Sequence, residues 1–178
     1  FLVNKVKKVD WREVVSLKHS AEEIWDIENN NSKKDWGKLL HKALANIHYK
    51  EETEDVLNRL FISGQCNEEN FQRLSREVYM LLEDPNIAKY FTKNWHVKTE
   101  KEILTNTGRT YIPDRLLFDK QSDQVIIIDY KTGEEKDRHI KQIRDYANAL
   151  KKMGYNNIKE ILIYTSKKDR IKPLCSLS

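Results

Sequence analysis

Asp114, Asp129 and Lys131 are the residues whose types and spacing first suggest chemistry. They lie in GRTYIPDRLLFDKQSDQVIIIDYKTG, where two stretches of strand character, 110–118 and 125–131, flank the polar break DKQSD. So short a break favours an antiparallel hairpin. With its centre between Gln121 and Ser122, Asp114 faces Asp129, Leu116 faces Ile127 and Phe118 faces Val125. Side chains alternate along a strand, so Asp114, Leu116 and Phe118 share a face with Val125, Ile127, Asp129 and Lys131. That face is apolar near the turn and ends in two carboxylates and an ammonium. Two adjacent acids at the end of a buried strand repel each other, and Lys131 brings only one compensating charge. A divalent cation brings the rest, since hard cations take oxygen ligands from one or two carboxylates together with water and phosphate. A lysine two residues from such an acid can hold or activate attacking water, or stabilise charge on a phosphate. Any one of the three alone reads as a solvated strand end; grouped in this spacing, they read as a hydrolytic site.

The elements that must position these groups follow from periodicity. The lead-in 1–18 mixes Val, Lys and Trp without a clear period, and Ser20 can cap a short helix beginning at Ala21. Residues 28–34 (ENNNSKK) read as a polar linker. Asp35 can cap a helix over 36–48 whose stripe is Leu39, Leu40, Ala43, Leu44 and Ile47. Two further helices are expected over 53–61 and 68–82, separated at Gly64, the second capped by Asn67 and closed by Asp84-Pro85. Its apolar face is Phe71, Leu74, Val78, Leu81 and Leu82, and a short turn follows over 86–91. From Trp95 the period changes, giving a strand over 96–104 and a turn at TNTG before the hairpin. Asp137 can cap a helix running to Met153 and ended by Gly154, with Ile140, Ile143, Ala147 and Leu150 as its packing stripe. Residues 158–165 (IKEILIYT) read as a buried strand placed beside 125–131 through a right-handed crossover. The expected fold is α/β: a mixed central sheet with helices around it, preceded by a helical N-terminal half. One domain over 1–178 divides into a lead-in (1–34), a helical part (35–92), the catalytic sheet and helix (93–166) and a basic tail (167–178).

The totals narrow the function classes. Charged residues make up 34% of the 178 and hydrophobic ones 39%, which suits a folded, polar domain. A net charge of +4 and a pI near 8.9 suit a polyanionic partner without requiring one. The two cysteines, Cys66 and Cys175, form no CxxC, which argues against a zinc site or disulfide scaffold and fits a reducing, cytoplasmic location. No apolar run approaches the ~20 residues of a membrane helix, and no signal peptide is visible. The start at Phe1 rather than Met is what a piece of a longer protein looks like. GxxxxGK[ST] is absent, so ATP binding by a phosphate loop is not expected.

Pro113-Asp114, then Asp129-Tyr130-Lys131 fifteen positions on, resembles the PD-(D/E)xK nuclease superfamily. DYKTG, with Gln142 and Tyr146 downstream, resembles more narrowly the nuclease domain of the RecB/AddA helicase–nucleases. The resemblance covers roughly 36–165 and implies a restriction-endonuclease-like sheet. It also implies a magnesium-dependent deoxyribonuclease, with Mn²⁺ able to substitute, acting as an exonuclease in double-strand-break repair and recombination. Gly37-Lys38-Leu39-Leu40-His41 matches the family's GxxxH element, which makes His41 a metal ligand beside Asp114 and Asp129; unaided, it reads as a structural or solvated histidine. The remaining protein ligand is expected to be the backbone carbonyl of Tyr130. Lys131 then positions or activates water, and Gln142 and Tyr146 lie at the mouth of the site, with Gln142 contacting substrate or water. A glutamate on the strand before the first aspartate commonly supports the site; Glu100 and Glu102 both qualify, and Glu102 is preferred. Relatives that bind an iron–sulfur cluster use four cysteines, a set this chain lacks. The partners implied are DNA and a helicase motor in the same parent chain, with room for a second subunit. The alternatives are a non-catalytic DNA-binding module of the same fold and an endonuclease of another branch.

Overall fold

The computed structural model describes residues 32–104, 108–165 and 170–174. The lead-in and the short helix after Ser20 lie outside them, as does most of the polar linker. The first described helix, α1 (Ser32–Asn46), starts inside that linker. Asp35 is therefore in its first turn, where a carboxylate favours the helix dipole, and not at its cap. Leu39, Leu40, Ala43 and Leu44 are buried, as is Ile47 just beyond the end. A 3-10 turn at Lys50–Glu52 leads into α2 (Thr53–Ile62), then come α3 (Glu68–Glu83) and α4 (Pro85–Ala88). Gly64 makes the break before α3 at φ +71°, a left-handed conformation that glycine adopts without steric cost. The Asn67 side chain accepts from the Asn70 N–H and caps α3 as expected.

The strands are β1 (Trp95–Thr99), β2 (Ile103–Leu104), β3 (Thr110–Tyr111), β4 (Arg115–Asp119), β5 (Gln124–Lys131), β6 (Asn157–Tyr164) and β7 (Ile171–Leu174), with α5 (Asp137–Lys152) between β5 and β6. Five of them form a mixed sheet in the order β1-β4-β5-β6-β7, parallel only between β5 and β6. β2 and β3 form a separate two-stranded sheet.

Two expected strands are each divided in two. The 96–104 stretch breaks after Thr99 because Glu100 takes φ +48°, which turns the chain out of β1 and towards β2. The 110–118 stretch breaks at 112–114, where Pro113 has no N–H to give a ladder. The hairpin register is the expected one, with Leu116 opposite Ile127 and Phe118 opposite Val125, but pairing stops at Arg115 opposite Ile128. Asp114 thus stands just off the end of the strand and is not paired across from Asp129. Lys136, in extended conformation, is the N-cap of α5, so Asp137 is its first helical residue. The expected basic tail includes an edge strand, β7, paired with β6.

Helices cover both faces of the sheet. Leu117, Ile126, Ile128, Tyr130, Ile161 and Ile163 pack with the apolar stripes of α1, α2 and α3. Leu116, Val125, Ile127 and Leu162 pack on the other face against Ile143, Tyr146, Ala147 and Leu150 of α5. Burial on both faces explains the unbroken VIII run of β5, since a central strand has no solvent side for polar residues. Truncating Ile127 or Leu117 to alanine would cost about 2–5 kcal/mol. Among the described residues no helix is long and apolar enough to cross a membrane.

Candidate active site

The two helical layers meet the sheet edge where β5 ends and β4 begins. Strand alternation sends the Asp129 and Lys131 side chains to the α5 side, while the Tyr130 ring enters the core under α1. Asp114 arrives from the turn before β4, and its Oδ2 accepts the Tyr130 N–H at 2.7 Å. His41 comes from α1, with Nδ1 3.5 Å from the same Asp114 oxygen, and its ring stands edge-on to Tyr130. The Lys131 ammonium lies 2.5 Å from Asp129 Oδ2 and donates to Gln142 Oε1 at 2.9 Å. Gln142 Nε2 donates in turn to the Tyr146 hydroxyl at 2.7 Å. An ammonium can only donate, so the Gln142 carbonyl must face it and the amide NH₂ must face Tyr146.

The electrostatics differ across the site. Asp129 is 1% exposed, and its carboxyl is pushed up to about 6, first by burial and then by the Asp114 charge, against the pull of Lys131 and His41. His41 sits above its ordinary value: burial opposes its charged form, but the hydrogen bond and charge of Asp114 and the charge of Asp129 outweigh burial. Burial and the nearby Asp129 push the Tyr146 hydroxyl up to about 12, so it stays protonated at neutral pH.

Among the described residues no three acidic, histidine or cysteine side chains are already gathered round one point. Asp114 and Asp129 instead hold the Tyr130 N–H and the Lys131 ammonium. Their chemistry nevertheless fits a hard divalent cation. A carboxylate raised by burial and by a second carboxylate is short of positive charge, and Asp129 Oδ2 accepts no well-aligned hydrogen bond despite its lysine. The donor set of two carboxylates and an imidazole suits magnesium or manganese.

The structure thus brings His41, Asp114, Asp129, Tyr130, Lys131, Gln142 and Tyr146 together. Glu102 is exposed between β1 and β2, whereas Glu100 lines a cavity of about 660 Å³ with Gly37, Lys38, His41, Tyr130, Lys131 and Thr132. Two positioning features are new at this level. Arg115 is fully buried and donates to the carbonyls of Ile47 (2.8 Å), His48 (2.5 Å) and Tyr90 (3.3 Å), with its guanidinium 4.0 Å from the centre of the Phe91 ring. It ties the end of the His41 helix to the strand that follows Asp114. The signal for it is a cation at the head of the apolar run 116–118, where burial of the strand obliges it to find acceptors. Gly37 sets how closely α1 approaches the end of β5, because a Cβ there would stand 3.0 Å from Thr132 Oγ1.

A family model described as the PD-(D/E)XK nuclease superfamily matches residues 13–173. The five-stranded mixed sheet with flanking helices is consistent with a restriction-endonuclease-like fold. No curated protein matches the sequence significantly.

Proposed function

The chain belongs to the PD-(D/E)XK nuclease superfamily, whose members generally use divalent metal ions, and on that premise we propose that it is a Mg²⁺- or Mn²⁺-dependent deoxyribonuclease of the RecB/AddA type. The supporting observation is the meeting of His41 with Asp114 beside the partly buried Asp129–Lys131–Gln142–Tyr146 chain.

In this reading Asp114, Asp129 and His41, with the Tyr130 carbonyl, hold the cation. When bound, the cation polarises the scissile phosphate and acidifies water. Lys131 presents its N–H groups to the water or to a phosphate oxygen, where charge develops as the bond breaks. Gln142 aims that ammonium, and the Tyr146 hydroxyl fixes which way the Gln142 amide points. Glu100, which lines the cavity beside His41 and Lys131, completes the polar wall, in place of the expected Glu102. The biological setting we propose is a cytoplasmic helicase–nuclease that processes DNA ends for recombinational repair, with the motor elsewhere in the parent chain.

The test is cleavage of linear and circular DNA with Mg²⁺ or Mn²⁺. We expect digestion of linear DNA from its ends, independent of ATP and abolished by excess EDTA. Cleavage of circles at defined positions would favour an endonuclease of another branch. DNA binding without cleavage under any divalent metal would leave only a binding module.

A further inference from the structure

Helix α5 brings Gln142 to the Lys131 ammonium, so the depth at which its first turns lie on the sheet decides whether that bond forms. The helix begins without a local fastening: Lys136 at its N-cap makes no side-chain capping bond. Helix ends left this way fray. The Lys172–Glu135 ion pair tethers the approach to the helix, but both groups are well exposed, and an exposed pair contributes little.

A buried contact lies one turn before Gln142. His139 is 7% exposed, and its Nδ1 stands 3.2 Å from the hydroxyl of Tyr164, itself 1% exposed on β6. Tyr164 is the partner of Lys131 in the parallel β5–β6 register. Neighbouring strands run about 4.8 Å apart, so the Tyr164 ring rises from the sheet next to the Lys131 side chain. The same end of β6 holds the Lys131 backbone, whose carbonyl accepts the Thr165 N–H at 2.9 Å. Both polar tips are out of water and each needs a partner. Burial, and then the positive charges of Lys131, Arg138 and Lys136, hold the imidazole below its ordinary pKa. A neutral ring keeps one nitrogen able to accept the Tyr164 O–H.

We propose that His139 and Tyr164 are positioning residues for Lys131: their bond pins the first turn of α5 to β6 and so sets the reach of Gln142 to the ammonium. Gln142 is then bracketed along the helix, by this pin one turn before it and by the Tyr146 hydroxyl one turn after. Neither His139 nor Tyr164 touches substrate or metal. The inference rests on the nuclease reading of Asp114, Asp129 and Lys131, and adds what keeps its lysine aimed.

Single-turnover cleavage of linear DNA by the full chain at saturating Mn²⁺ tests it. His139→Phe keeps a ring and loses the nitrogen; Tyr164→Phe removes one oxygen and guards against a histidine variant that does not fold. Each should slow the saturated rate about fivefold, with the half-saturating DNA concentration and the calorimetric Mn²⁺ affinity unchanged. His139→Asn, which offers a carboxamide oxygen in place of Nδ1, should recover most of the rate. Added to Gln142→Ala, His139→Phe should cost nothing further, because it acts through Gln142. Folded His139→Phe and Tyr164→Phe that cleave at the wild-type rate, or a His139→Phe loss that multiplies with Gln142→Ala, overturns the proposal. A wild type that cleaves nothing overturns the nuclease reading instead. Amide hydrogen exchange then still decides the pin: His139→Phe should speed exchange over 140–146 selectively, and unchanged exchange there refutes it.

Discussion

The two aspartates of the site are the same residue type in opposite circumstances. Asp129 lies within the β5 ladder, 1% exposed, and faces a lysine. Asp114 lies past the end of a ladder, partly exposed, and serves the Tyr130 N–H and His41. Asp129 is thus held against its electrostatic interest, since burial and Asp114 together outweigh Lys131 and His41. Asp114 does local structural work that any acceptor could share. A cation gathered by both would relieve the first acid and recruit the second, which is the sense in which a site can be stable without its metal and still favour it.

The comparison is broken most severely by removing either acid. Asp114→Ala and Asp129→Ala should each lower cleavage by roughly 10³-fold or more and abolish calorimetric Mn²⁺ binding. Lys131→Ala should lower cleavage by about 10²–10³-fold while Mn²⁺ still binds, because an ammonium is not a ligand. Metal loss in Lys131→Ala as complete as in Asp129→Ala would show that the assigned roles are wrong. A smaller effect is expected one step further out. Gln142→Ala should slow cleavage by about tenfold through a misaimed lysine, and Tyr146→Phe by less, since Phe keeps the ring and loses only the amide's acceptor. Equal effects would mean that Tyr146 acts directly on substrate.

The subtlest test reads stability in EDTA, where the two acids should respond with opposite sign. Asp129→Asn removes a buried charge that its surroundings disfavour, so Tm should rise by a few degrees near neutral pH. Asp114→Ala leaves the Tyr130 N–H without its acceptor and should lower Tm, at a cost of about 1–3 kcal/mol. Scanning calorimetry of the two metal-free variants decides it; matching signs would remove the distinction drawn between them.

Much of this was legible because it is written in short-range pattern. The β4–β5 register followed from a hairpin centre, and the stripes of α1, α3 and α5 from helical spacing. What escaped was set by contacts between distant parts of the chain or by single backbone angles. Glu100 at φ +48° and Pro113 divide two strands that look continuous in hydropathy. The start of α1 lies inside a polar stretch with no apolar periodicity to mark it. Of the site, Asp129 and Lys131 were readable from spacing alone, whereas His41 needed the resemblance. The role of Arg115 is not legible in the sequence because its partners at Ile47, His48 and Tyr90 are backbone carbonyls, which have no sequence signature.

The Arg115 clamp has a consequence in time. It joins positions 68 residues apart in sequence. Closing so long a loop is slow and becomes favourable only once both ends are folded. A chain that stops before Asp114 therefore carries His41 with neither acid to set against it. Pulse-labelled hydrogen exchange during refolding should show α1 and β4 gaining protection in the same phase; early protection of α1 alone would refute this. In the nuclease reading proposed above, competence to cut then waits on this closure, and a half-made chain cannot cut.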